Sequence, residues 1–306
     1  MTQSIKHNPE SLVAIEPIDP AIVGGYAVDQ VVIRDGLYSR KSTAAEASIL
    51  EECLISHPSR QSIADYQVWV EQYWKTSQGT YSSVKRFSDK LDEEFQEVII
   101  ELANDNPDTE QLNSELGDVT WCLIALATNG GVDIDSGLKN RLYRYVAGTQ
   151  WIVGTLPTEP TWRLKAAELA TKFEPVSIEE IDQLIREGFE PMPSPVMNIY
   201  DPGDTEYDEA GHLSNLLVSL SAVKIIARNQ YGRGYGDEPD EIVMDQKFKD
   251  LAYELGEISA NALLEVAFMA SRFRGITLCE IISYNVQKLK QRVINNQVDK
   301  TDSPRQ

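Results

Sequence analysis

KLDEEFQEVIIELANDNPDTEQLNSELGD, residues 90–118, holds two acidic pairs in helical frames. Glu94 and Glu97 stand three apart, as do Glu115 and Asp118. Apolar residues recur at helical spacing around each pair: Phe87, Leu91, Phe95, Val98 and Leu102, then Leu112, Leu116, Val119, Leu123 and Leu126. Residues three apart project from neighbouring turns of one helix face. The intervening NDNPDT, with its proline and small polar residues, stops the first helix. Packing the two stripes together brings four carboxylates towards one another. Crowded carboxylates repel and their pKa values rise unless a cation sits among them. Hard oxygen donors converging inside a bundle suit Mg²⁺, with Mn²⁺ as the second choice.

The flanking pattern adds a resemblance. ExxE followed by ExxD, within KLxEExxEV and ELGDVxWxLxALAxxxG, resembles the all-α nucleoside triphosphate pyrophosphohydrolases of the MazG type. The matching residues are Glu93, Glu94, Glu97, Glu115, Gly117, Asp118, Trp121 and Gly131, and the match spans about residues 61–146, under a third of the chain. A lone ExxE says little in a chain with 48 acids; the paired motif in its apolar frame is more specific. The resemblance implies Mg²⁺-dependent cleavage of an NTP or dNTP to the monophosphate and pyrophosphate. It also implies a homodimer or a single-chain pseudo-dimer, with nucleotide contacts in the polar turn KTSQGT at 75–80.

Composition sets the outer bounds. At 306 residues the chain has room for one to three domains, and 42% hydrophobic residues are ordinary for a soluble protein. No apolar run approaches the roughly 18 residues of a membrane span, and the first residues lack the apolar core of a signal peptide. Three scattered cysteines support neither a disulfide framework nor a CxxC site, so a reducing cytoplasm is expected. A net charge of −20 disfavours duplex nucleic acid and anionic membrane as partners, but not a phosphorylated ligand held through metal ions.

In chain order, residues 1–60 read as an N-terminal arm ending in one helix at 43–56, which His57-Pro58 stops. Residues 61–147 form a four-helix unit. Ser62 is its N-cap, with Asp65 three residues on, and Tyr66, Trp69 and Tyr73 read as core rather than as a base-stacking face. Glycine capping at Asn129-Gly130-Gly131 ends its third helix. Residues 148–206 are a proline-rich linker with two helices, 161–173 and 177–187, the latter opening on a Ser177-x-x-Glu180 capping box. Residues 207–296 form a second helical unit, and 297–306 a disordered tail.

The second unit reads as a degenerate repeat of the first. Setting Gly275 against Gly131 places Asn285 and Lys288 opposite Arg141 and Arg144. The acidic pairs then fall on Ser219 and Ala222, and on Ser259 and Ala262, so the metal ligands are gone. ELGE at 254–257 also mimics ELGD, but five residues too early for this register.

Cleaving a phosphoanhydride demands charge neutralisation, an aligned water and a stabilised leaving group. Glu94, Glu97, Glu115 and Asp118 are the expected metal ligands. Glu93 and Glu101 are the alternatives for the base: Glu101 follows Glu97 by one turn, whereas Glu93 is read as set off that face yet belongs to the motif. Lys75, Lys90, Arg141 and Arg144 are candidate phosphate donors, and Asn285 and Lys288 reach the site if the second unit packs as a pseudo-symmetric partner. Gly117 inside a helix costs about 1 kcal/mol relative to Ala, which points to close approach of a partner group. GRGYG at 232–236 reads as a loop, because it lacks the GK[ST] ending of a P-loop. A single ExxH, Glu209 to His212, falls short of the two that a di-iron bundle needs.

The expectation is thus an all-α Mg²⁺-dependent pyrophosphohydrolase. Its rivals are a dUTPase-like or phosphoribosyl-ATP pyrophosphohydrolase activity on the same scaffold, and a non-catalytic helical assembly protein.

Overall fold

The computed structural model describes residues 44–78, 84–104, 107–130, 132–153, 160–191, 209–231 and 246–294. The expected arm at 1–42, the segment 192–208, GRGYG at 232–236 and the tail at 297–306 lie outside the described residues. Ten α-helices make up the description: α1 (Ala44–Ser56), α2 (Ile63–Gln78), α3 (Val84–Leu102), α4 (Thr109–Asn129), α5 (Ile134–Val153), α6 (Thr161–Thr171), α7 (Ile178–Arg186), α8 (Glu209–Tyr231), α9 (Gln246–Met269) and α10 (Leu278–Ile294). A 3₁₀ turn (Pro58–Arg60) precedes α2, and a π-helical segment (Ala270–Arg274) extends α9. The protein is all-α, as its periodicity predicts; among the described residues the only β pairing is an isolated antiparallel bridge between Ser62 and Ser177.

The apolar stripes of α3 and α4 face each other and are buried: Phe87, Leu91, Phe95 and Val98 against Leu112, Leu116, Val119 and Leu123. Asp108 caps α4, accepting from the Glu110 and Gln111 N–H groups at 2.9 and 3.3 Å. Truncating a fully buried Leu91 or Leu123 to Ala would cost about 2–5 kcal/mol. Some boundaries differ from the sequence reading. Helix α2 runs through 75–78, where KTSQ reads as a turn, because nothing in those residues breaks a helix before Gly79. Gly130 ends α4 at φ −71°, outside the left-handed region, so its glycine is not required by conformation. Gly275, at φ 68°, does use that region to end the π-helical segment.

The packing relations of α1–α5 recur among α6–α10. Helix α3 lies along α4 as α8 lies along α9, and α1 packs on α10 as α6 packs on α5. Each half also crosses over: α4 packs on α10 and α9 on α5. The bridge ties the two halves together at matching positions. Ile63 N donates to Val176 O at 3.2 Å and Ile178 N to Gln61 O at 2.9 Å, one residue after each bridging serine. Five residues after each serine sits a residue that caps the last helix of its own half. Gln67 accepts from Ile134 N at 3.1 Å, and Asp182 from Leu278 N at 2.7 Å. Helices α6 and α7, read from sequence as parts of a linker, are therefore packed elements that answer to α1 and α2.

Candidate metal centre

Helices α3 and α4 carry three carboxylates to one point. Glu94, Glu97 and Glu115 each offer an oxygen, and these oxygens all lie within 4.8 Å of one another. Glu94 and Glu115 are buried and Glu97 is exposed, so the cluster opens to solvent on one side. Opposite ligands about 2.1 Å from an octahedral Mg²⁺ stand about 4.2 Å apart, so oxygens up to 4.8 Å apart would draw together slightly to hold one, and the all-oxygen donor set suits such an ion.

Burial first, and neighbouring carboxylates after it, raise the pKa values of two members. Burial lifts Glu94, with Asp118 adding to the shift, while Lys90 opposes it through an i,i+4 ion pair. Burial and a hydrogen bond with Glu97 push Glu115 up to about 7. Gln111 donates to the same carboxylate from the preceding turn. Burial works against the Lys90 charge, yet the hydrogen bond with Glu94 leaves its pKa raised.

Asp118 stands beside this trio with both oxygens engaged by α10. Asn285 Nδ2 donates to Oδ1 at 2.9 Å, and Lys288 Nζ contacts Oδ2 at 2.6 Å. Lys288 also reaches Ser114 Oγ at 2.5 Å. Tyr66 OH donates to Asn285 Oδ1 at 3.0 Å, so α2, α10 and α4 share one buried chain of polar contacts. Burial first, then the neighbouring Asp118, raises the Tyr66 pKa well above its ordinary value and keeps it a donor. Gly117 explains how α10 comes so close: a Cβ there would stand 2.9 Å from the Asn285 Cβ.

The remaining candidates fall elsewhere. Arg141 is buried against α9, donating from Nε to Asn261 Oδ1 at 2.9 Å and lying 4.6 Å over the Tyr145 ring. Arg144 pairs with Glu257 at 2.7 Å. Both therefore serve the other half rather than the α3–α4 cluster, because the crossover sends α5 to α9. Glu101 accepts from Asp108 N at 2.6 Å and from Asn104, which fastens the turn between α3 and α4. Glu93 is exposed one helical turn before Glu97, so spacing sets it beside Glu97 rather than away from it. The Lys75 side chain lies outside the described residues.

The α9 register differs from the ungapped count. Gly256 packs on α5, where a Cβ on Gly137 would meet the Gly256 oxygen at 2.4 Å, and Glu257 pairs with Arg144. Arg141, set opposite Asn285, bonds to Asn261 as Asn285 bonds to Asp118, and Asn261 reaches Ser219 on α8. Asn261 therefore stands one residue from Ala262, the position that the ungapped count sets against Asp118, while Glu257 pairs with Arg144 one turn earlier. Facing α9, α8 offers no acid after Glu209, so the second half lacks the partner carboxylates. Glu209 itself pairs with Arg274, and His212 Nδ1 meets Glu265 at 2.9 Å in the core.

In a second group, Glu179, Asp182 and Cys279, Asp182 caps α10 and Glu179 pairs with Arg186. Both Asp182 oxygens accept backbone N–H groups, from Leu278 at 2.7 Å and Cys279 at 3.1 Å. Burial pushes the Cys279 thiol far up, which makes it a poor ligand. Helix α8 is long and apolar enough to cross a membrane by length and composition, yet it buries His212, Asn215 and Ser219 against its neighbours. No protein-family model, curated protein or solved structure matches the chain.

Proposed function

We propose that the chain is a metal-dependent nucleoside triphosphate pyrophosphohydrolase of the MazG type, cleaving an NTP or dNTP between its α and β phosphates. The observation that carries this reading is the convergence of Glu94, Glu97 and Glu115, two of them buried, with an exposed opening at Glu97. Burying carboxylates with raised pKa values is unfavourable on its own, and a divalent ion relieves it. Glu94, Glu97 and Glu115 would hold Mg²⁺, joined by Asp118. The bound ion would neutralise phosphate charge and acidify a coordinated water.

The chain's own residues supply the rest. Lys90 and Lys288 border the acids and would donate to phosphate oxygens beyond the metal's reach. Glu93 is the better base of the two candidates, because Glu101 is committed to the turn. Tyr66 and Asn285 orient Asp118. In this reading the α6–α10 half is a degenerate repeat that takes the place of a partner subunit: it has lost the α8 acids and contributes α10 to the site. The chain would act as a single-chain pseudo-dimer.

One observation favours the non-catalytic rival. Lys90 on Glu94 and Lys288 on Asp118 already neutralise two acids, as a purely structural network would. Pyrophosphate release from each NTP and dNTP with Mg²⁺, comparing wild type with Glu97→Gln, decides between them. Release that depends on Glu97 supports the hydrolase and reports base preference, including a dUTPase-like one. No release from any substrate, with no Mg²⁺-linked rise in melting temperature, leaves the assembly protein.

A further inference from the structure

Asp118 belongs to the acidic motif, yet it is not among the three carboxylates whose oxygens converge within 4.8 Å. Its two oxygens have partners of different character. Asn285, fully buried, is held by Tyr66 and pressed against Gly117, so its amide has nowhere to go. Lys288 is different: its side chain is 20% exposed and hangs on a flexible four-carbon stem. Its ammonium sits between Asp118 Oδ2 and Ser114 Oγ, at 2.6 and 2.5 Å, on the Asp118 oxygen that Asn285 does not hold. Arg292 stands farther off, 3.9 Å from the same oxygen. A divalent ion at Oδ2 would meet an ammonium within a few ångströms, and at about 4 Å like charges repel by several kcal/mol near a protein surface. Ammonium and ion therefore exclude each other there.

We propose that Lys288 is a tethered counter-cation that competes with a divalent ion for Asp118. Metal alone then loads the three-glutamate part of the site, and Asp118 is released to a second ion only when phosphate oxygens give the ammonium another partner. This rests on the reading of Glu94, Glu97 and Glu115 as a metal centre. It gives the α6–α10 half a regulatory part: α10 delays full loading until a polyphosphate is bound.

Calorimetric titration of the full chain with Mn²⁺, alone and with inorganic pyrophosphate, tests it. The wild type should take up one Mn²⁺ alone and a second once pyrophosphate is present. Lys288→Met should bind two without pyrophosphate. Asp118→Asn should still take up one Mn²⁺ alone but gain no second with pyrophosphate, a readout that does not depend on how Lys288→Met folds. Two ions on the wild type alone, no gain with pyrophosphate, one ion on a folded Lys288→Met, or loss of the first ion in Asp118→Asn would each overturn the proposal. A wild type that binds no Mn²⁺ is a different failure: it overturns the metal centre itself.

Discussion

Gly117 is the residue on which the meeting of the two halves turns at the site. A methyl group there would stand 2.9 Å from the Asn285 Cβ and 3.4 Å from the Ile281 oxygen, so either α10 shifts or Asn285 gives way. Gly117→Ala gains up to about 1 kcal/mol of helix propensity, but overpacking costs about 1–3 kcal/mol. The expected net result in urea denaturation is a loss of stability, together with weaker orientation of Asp118. Glu115 sets the pH behaviour. Its pKa in the folded chain is raised from 4.5 to about 7, so the folded chain holds this proton more tightly than the unfolded one. Stability from this group is full below about pH 4.5 and is lost as pH rises through about 7. Burial lifts Glu94 and Glu265 in the same direction, so the diagnostic is a difference between proteins. In chelator, melting temperature should fall less steeply over this range for Glu115→Gln than for wild type. Residue identity made the acids legible from sequence, since ExxE and ExxD name them outright. The partners of Asp118 were partly legible, through Gly117 and the Asn285–Lys288 register. That Lys288 sits on Asp118 was not, because the contact spans 170 positions and depends on a helix crossing.

At the scale of elements, the link between the halves is two capping boxes placed back to back. Ser62 Oγ accepts from Asp65 N at 3.0 Å, and Ser177 Oγ from Glu180 N at 3.2 Å. The residue after each serine donates to the strand-like residue before the other. Ser177→Ala should cost about 1 kcal/mol, the usual loss for an N-cap. The double variant Ser62→Ala with Ser177→Ala should depart from additivity, because the two caps share one bridge; additive losses in a denaturation cycle would mean that the caps act separately. Both serines were legible as caps, since Ser-x-x-Asp and Ser-x-x-Glu are local signals. Their pairing was not, as it joins positions far apart in the chain. The same limit explains the α9 register. An ungapped count from Gly275 misses the π-helical segment Ala270–Arg274, and the α9 residue that meets Arg141 is Asn261, one short of the counted Ala262.

For the whole molecule, the crossover makes the halves interdependent. Helix α4 buries its face on α10 and α9 buries its face on α5, so neither α1–α5 nor α6–α10 keeps its core alone. A chain ending after Val153 should lack a cooperative thermal transition; a sharp transition would show that the first half is self-sufficient. Helix content and the α3–α4 hairpin were readable from apolar periodicity, and so were α6 and α7 as helices, but the prolines around them made them read as parts of a linker. The reading of the chain as a hydrolase depends on Glu94, Glu97 and Glu115 caging a cation. Anomalous diffraction from crystals grown with Mn²⁺ tests that most directly. A peak is expected about 2.0–2.2 Å from carboxylate oxygens of Glu94, Glu97 and Glu115. No peak there, or one confined to Glu179 and Asp182, would contradict it.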